Sequence, residues 1–144
     1  MPYTLHPYTH DSSAPSFGLE AARALGVVPA RVFKTLLAEI DDAFVVAVVP
    51  VSGSLDLKAL ARAASGKRAV MAATSRAERA TGYVVGGISP FGQRKKLPTV
   101  VDESVFDHET VYVSAGRRGL DLEITPSNLV RTTEAKTATI ARVS

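Results

Sequence analysis

Lys34 is the residue whose place in the chain first suggests chemistry. The segment Arg31-Val32-Phe33-Lys34-Thr35-Leu36-Leu37-Ala38-Glu39-Ile40 has the composition of a strand. Period-two alternation puts Lys34 on one face with Val32, Leu36, Ala38 and Ile40, and puts Arg31, Thr35 and Glu39 on the other. Desolvating an ammonium is costly. A lysine at an apolar position therefore lines a cleft, finds a partner, or snorkels out at a sheet edge. In a cleft, its charge can orient a substrate oxygen or stabilise negative charge as it develops.

Gly82-Tyr83-Val84-Val85-Gly86-Gly87-Ile88-Ser89-Pro90-Phe91-Gly92 is the second candidate. Adjacent glycines let a backbone approach a ligand closely and present N–H and C=O groups to it. The segment fits neither a Walker A loop nor G-x-G-x-x-G, so it is not a nucleotide-phosphate motif; its plainer role is a sharp connection. Cations cluster at Lys67-Arg68, Arg94-Lys95-Lys96 and Arg117-Arg118, all in or after expected loops. One cluster lies directly beyond the Gly-rich segment. It is placed either to rim a phosphate-binding site or to sit as solvated surface charge.

Other chemistries are excluded by what the chain lacks. There is no cysteine, which removes disulfides, thiolate metal sites and a cysteine nucleophile. His6, His10 and His108 show no metal-ligand spacing, so no His-rich metal cluster is expected. Ser89 is followed by Pro90, and no G-x-S-x-G elbow exists. Seventeen basic against 14 acidic residues give a net charge of +3, a mild bias toward anionic partners. The five Phe and four Tyr do not alternate with the cations as a stacking platform requires.

These residues need a scaffold, and 144 residues at 46% hydrophobic and 22% charged suffice for one domain, residues 1–144, with a proper core. The longest apolar run, Ala43 to Val51, is broken by Pro50 and falls far short of the roughly 20 residues that cross a bilayer. The first residues show no signal-peptide pattern, so a cytoplasmic protein without a membrane segment is expected. Alternation predicts an edge strand over Tyr3–Tyr8, then a loop over Thr9–Ser16 and a helix over Leu19–Leu25 stopped by Gly26. Strands follow at Arg31–Ile40 and Ala43–Val49, turned by Asp41-Asp42. Ser54 is expected to cap a helix over Leu55–Ala64, and Ser75 to Glu78 has capping-box spacing after a brief strand at Ala69–Met71. Further strands are expected at Thr99–Val101, Thr110–Ser114 and Leu120–Thr125, the last two turned by Gly116 to Gly119. A short helix begins at Thr125-Pro126, and Thr137–Val143 reads as a closing strand. Without regular βαβ alternation, the fold class is mixed α/β, a mixed sheet with short helices around it.

Three segments together closely resemble the YbaK/EbsC family: Phe33-Lys34-Thr35-Leu36-Leu37, Thr81 through Gln93, and Tyr112-Val113-Ser114-Ala115-Gly116-Arg117-Arg118-Gly119-Leu120-Asp121-Leu122-Glu123-Ile124. His6 to Asp11 and Ser16-Phe17-Gly18 match its N-terminal pattern, so the resemblance runs in order from about Leu5 to Leu129. Members are Cys-tRNA(Pro) and Cys-tRNA deacylases related to the editing domain of bacterial prolyl-tRNA synthetases. They usually begin with a helix before the first strand, whereas this chain starts at that strand.

The resemblance implies a curved mixed sheet and a trans-editing enzyme acting on mischarged tRNA, chiefly tRNA(Pro), with prolyl-tRNA synthetase as a possible partner and no cofactor. It implies that Lys34 is catalytic, with Tyr8, Phe17, Gly87 and Asp121 around the aminoacyl-adenosine end. Gly86, Gly87 and Ser89 would hold the aminoacyl group, and Arg94, Lys95, Lys96, Arg117 and Arg118 would contact tRNA. The cysteinyl thiol would attack its own ester, sparing the protein a nucleophile. Two other functions fit the same fold: a water-based deacylase for another small amino acid such as Ala-tRNA(Pro), and a non-catalytic tRNA- or synthetase-binding module.

Overall fold

A computed structural model describes residues 2–10, 16–85, 87–94 and 96–143. In chain order its elements are β1 (Thr4–Pro7), α1 (Phe17–Leu25), β2 (Phe33–Ile40), β3 (Ala43–Pro50), β4 (Gly53–Leu55), α2 (Leu57–Ala63) and β5 (Ala69–Met71). They continue as α3 (Thr74–Thr81), β6 (Thr99–Asp102), β7 (Val111–Arg117), β8 (Leu120–Ile124), α4 (Pro126–Thr133), β9 (Lys136–Ala138) and β10 (Ala141–Val143). Short 3-10 turns cover Pro29–Arg31 and Glu103–Asp107.

The expected mixed α/β class is what forms. A five-stranded sheet runs β5-β2-β3-β6-β9, antiparallel at β2–β5 and β2–β3 and parallel at β3–β6 and β6–β9. A three-stranded antiparallel sheet, β1-β8-β7, and a two-stranded one, β10-β4, stand beside it. β3 is central and buried on both faces, which is why its sequence is a continuous apolar run and not an alternating one. Val46 and Val48 pack with Phe33, Leu37, Val101, Val113 and Ile124 on one side. Val45, Ala47 and Val49 pack with Ile40, Leu60 and Ile140 on the other.

Local signals set several boundaries as expected. Asp41 and Asp42 both take positive φ, 49° and 71°, the pair of left-handed residues that a tight hairpin between twisted strands demands. Gly26 at φ 67° ends α1 and Thr125 caps α4, whereas α1 starts at Phe17 and not at the expected Leu19, because Ser16 caps it. The Thr9–Ser16 loop lies largely outside the described residues.

Four expectations need correction. β2 begins at Phe33, because Pro29–Arg31 closes a 3-10 turn first. Ser54 belongs to β4, paired with β10, and the Asp56 carboxylate caps α2 by accepting from the Ala59 N–H at 3.1 Å. Ser75 to Glu78 is not a capping box: α3 starts behind Ala73 without a side-chain cap, and Glu78 instead accepts from the Val85 N–H at 2.9 Å. The closing strand is two strands in different sheets. Its break is made by Asp102, whose Oδ1 accepts the N–H groups of Ile140 and Ala141, both at 2.9 Å.

Asp102 is buried, and its Oδ2 also accepts from Ser104 N–H and Oγ–H, at 3.2 and 2.5 Å. Asp102→Ala strands these donors in the core and should destabilise the fold by about 3 kcal/mol, whereas Asp102→Asn, which keeps one acceptor, should cost less. Urea unfolding checks this; equal midpoints for wild type and Asp102→Ala would contradict it. Among the described residues, no helix is long and apolar enough to cross a membrane.

Candidate active site

The incomplete pairing of β5 with β2 in the main sheet opens the site. β5 pairs with β2 only at Ala38–Ile40, and beyond Ala72 N–H, which bonds the Leu37 carbonyl at 3.0 Å, that edge of β2 is left without a partner strand. At the other end Val32 bridges to Tyr112 of β7. Between these ends the exposed edge, Phe33 to Leu37, forms one wall of a cavity of about 380 Å³. Tyr8, the start of α1, Val85 and Ile88, and the β7–β8 pair supply the other walls.

Lys34 lies on this wall, half-buried, and burial holds its pKa below the ordinary lysine value. Among the described residues its ammonium has no ion-pair or hydrogen-bond partner. The face expected to be polar is also interior: Phe33 and Leu37 are in the main core, Thr35 is buried, and Glu39 is held by Arg76. Alternation alone therefore did not distinguish Lys34. What does is its place beside the uncovered strand edge.

Asp121 is the second ionisable group in the cavity. Only 5% exposed, it has its pKa pushed up to about 7 by burial, against a smaller opposing pull from His6, the residue opposite it in the β1–β8 register. Below that pH it is a neutral carboxyl able to donate a hydrogen bond, and above it a carboxylate facing the same space as Lys34. The Tyr8 phenol is held above its usual pKa, first by burial and then by the nearby Asp121 and Glu20 carboxylates, so it stays a neutral donor. Ser114 pairs with Asp121 across β7–β8 and also faces the cavity.

The segment from Gly82 to Arg94 closes one side and is fastened at several points. The Tyr83 hydroxyl donates to the Phe91 carbonyl at 2.5 Å, and Val85 is held by Glu78 through its N–H and by Arg118 through its carbonyl. A Cβ on Gly87 would meet Arg117 Cα at 2.8 Å, so glycine is required there for close packing on the β7–β8 turn. Ser89 is buried within the same segment, its hydroxyl accepting from Phe91 N–H at 3.2 Å. Gly87 and Ser89, expected to bind substrate, are packed within the segment, while Val85 and Ile88 line the cavity. Gly86 and Lys95 lie outside the described residues.

The expected cations separate into different roles. Arg94 and Arg117 are exposed, and Lys96 is paired with Glu134 at the surface. The Arg118 guanidinium is turned inward, onto Phe17 and Val85. The structure therefore brings Tyr8, Phe17, Lys34 and Asp121 to one cavity, and none of the expected cations lines it among the described residues. Sequence reasoning missed Ser114 and the β2 edge itself. The Ser114–Asp121 pairing was open to it, since the two stand nearly symmetrically about the Gly116–Gly119 turn. The missing partner strand was not, because strand length does not reveal coverage.

Comparison with known proteins gives the family and the fold. Residues 14–132 match the model of the aminoacyl-tRNA editing domain. EbsC of Enterococcus faecalis, whose name proposes Cys-tRNA(Pro)/Cys-tRNA(Cys) deacylation, is 38% identical over 120 residues, covering 83% of this chain and 73% of that protein. YwhH of Bacillus subtilis is 27% identical over 76% of this chain and 70% of its own. A solved structure described as a proposed trans-editing enzyme for prolyl-tRNA synthetase shares the fold with a TM-score of 0.87 at 23% identity, over 97% of this chain and 87% of that one. The protein APE2540 gives the same TM-score at 26% identity, over 99% and 93%. Matched over most of its length by the family model and by EbsC, the chain that forms this cavity belongs to the aminoacyl-tRNA editing domain family and is a deacylase of aminoacyl-tRNA.

Proposed function

We propose that the protein deacylates Cys-tRNA(Pro) in trans, with the substrate's own thiol as the first nucleophile. The observation that carries this is the cavity's inventory: a half-buried ammonium without a partner among the described residues, a buried carboxyl, a phenol and the Ser114 hydroxyl, with no cysteine in the chain. Such a site can orient and polarise, but it offers no activated nucleophile of its own. The cysteinyl sulfur, as thiolate, attacks the ester carbonyl, the bond to the terminal ribose oxygen breaks, and that oxygen takes up a proton. Water then opens the resulting cyclic thioester, breaking the carbon–sulfur bond to release cysteine. Lys34 holds the terminal ribose or the carbonyl oxygen electrostatically, and Tyr8, Phe17 and Asp121 surround the aminoacyl-adenosine end.

The tRNA body meets the exposed cations Arg94, Lys96 and Arg117, together with Lys95 of the same run, as phosphate contacts. The choice of tRNA(Pro) follows the similarity to EbsC, and cytoplasmic delivery by prolyl-tRNA synthetase belongs to the same proposal. Deacylation of Cys-, Ala- and Ser-charged tRNA(Pro), measured side by side as release of labelled amino acid, tests the substrate class. Cysteine should leave fastest. Preferential release of alanine would replace the proposal with a water-based Ala-tRNA(Pro) deacylase, and no release from any of the three would leave a binding module.

A further inference from the structure

Arg118 touches both sides of the cavity mouth. Its guanidinium lies over the Phe17 ring, 4.1 Å from the centroid, and its Nε and Nη2 donate to the Val85 carbonyl at 2.8 and 2.5 Å. Phe17 opens α1, Val85 belongs to the segment after α3, and both line the cavity. The backbone under Arg118 is itself fixed: Gly87 packs against it, and Tyr8 N–H bonds the neighbouring Gly119 carbonyl at 2.9 Å. The other face of the contact is backed too, since the His10 ring lies 5.8 Å from that of Phe17 and bonds Glu20 at 2.7 Å. A planar fork can stack on a ring and bond a carbonyl twice at once, and a lysine ammonium cannot.

We propose that Arg118 is a positioning residue that sets the width of the cavity mouth by tying Val85 to Phe17, and that it is not a phosphate ligand. The exposed Arg117 next to it is free to take that second role. The consequence for turnover rests on the proposed deacylase function; the consequence for the loop does not. Substrate entering between Phe17 and Val85 meets walls already held, so loss of the tie weakens substrate binding more than the chemical step.

Full-length Arg118→Ala, Arg118→Lys and Arg117→Ala are compared by amide exchange, steady-state kinetics on Cys-tRNA(Pro), and the salt dependence of tRNA binding. Both Arg118 variants should speed exchange at Val85 and Gly87 about tenfold with β3 and β6 unchanged, since the ties they remove are local. KM should rise about tenfold with kcat within about threefold of wild type. The salt slope should stay at the wild-type value for both, while Arg117→Ala should flatten it by about one contact. Should the alanine variant fail to fold, the lysine variant carries the test, keeping the charge without the fork. Wild-type exchange at Val85 and Gly87 would overturn the proposal, as would an Arg118 variant that flattens the salt slope like Arg117→Ala. The exchange measurement needs no substrate, so it stands even if the substrate assignment fails.

Discussion

Lys34→Ala should lower single-turnover deacylation by about 10²–10³-fold or more, the loss expected when one preorganised charge is removed from a reacting oxygen. The fold should survive the change. Lys34 sits on β2 opposite Val49, but its ammonium is half-buried without a partner among the described residues. Its removal leaves no opposite charge stranded in the core and relieves a desolvation cost. The melting temperature should therefore be unchanged or higher. That combination separates a catalytic lysine from a structural one, because a structural lysine would lose stability and activity together. A folded variant with near wild-type turnover would remove Lys34 from the mechanism.

Cys-tRNA(Pro) should be cleaved about 10²-fold or more faster than Ser-tRNA(Pro) in single turnovers, because a thiol is far more nucleophilic than a hydroxyl at neutral pH. The two side chains differ only by sulfur against oxygen, and a pocket that accepts the thiol will admit the smaller hydroxyl, so binding contributes little to the ratio. Equal rates for the two substrates would exclude thiol attack and leave water as the nucleophile. Alkylating the thiol should also stop cleavage, but its added bulk makes the seryl substrate the cleaner comparison.

The sequence alone determined those features whose cause is local. Asp41-Asp42 marked the hairpin because two adjacent residues must take positive φ there, and Gly26 marked the end of α1 for the same steric reason. Lys34 and the Gly82–Gly92 segment stood out as candidates because their residue types and spacing form a pattern in the chain itself, whereas the β7–β8 motif was noticed only through the family resemblance. Where a short polar residue could serve either as cap or as strand, local signals did not decide. Ser54 went to β4 because β10 pairs with it, and Glu78 turned from its helix because the Val85 N–H needed an acceptor. The end of the chain split at Ile140 for a comparable reason, a buried carboxylate 38 residues earlier.

The cavity belongs to the tertiary structure. It exists because β5 is too short to cover β2, and period-two alternation reports faces, not edges. Both faces of β2 proved interior, so parity alone did not set Lys34 apart from its neighbours; its place on the wall of the cavity did. Which cations meet solvent was likewise beyond the sequence. Arg117 and Arg118 are adjacent and chemically identical, yet one is exposed and the other is drawn onto Phe17 and Val85. Adjacent side chains at the end of a strand point to opposite sides, and only the packing of α1 and the Gly-rich segment against one of those sides gives the inner guanidinium its partners.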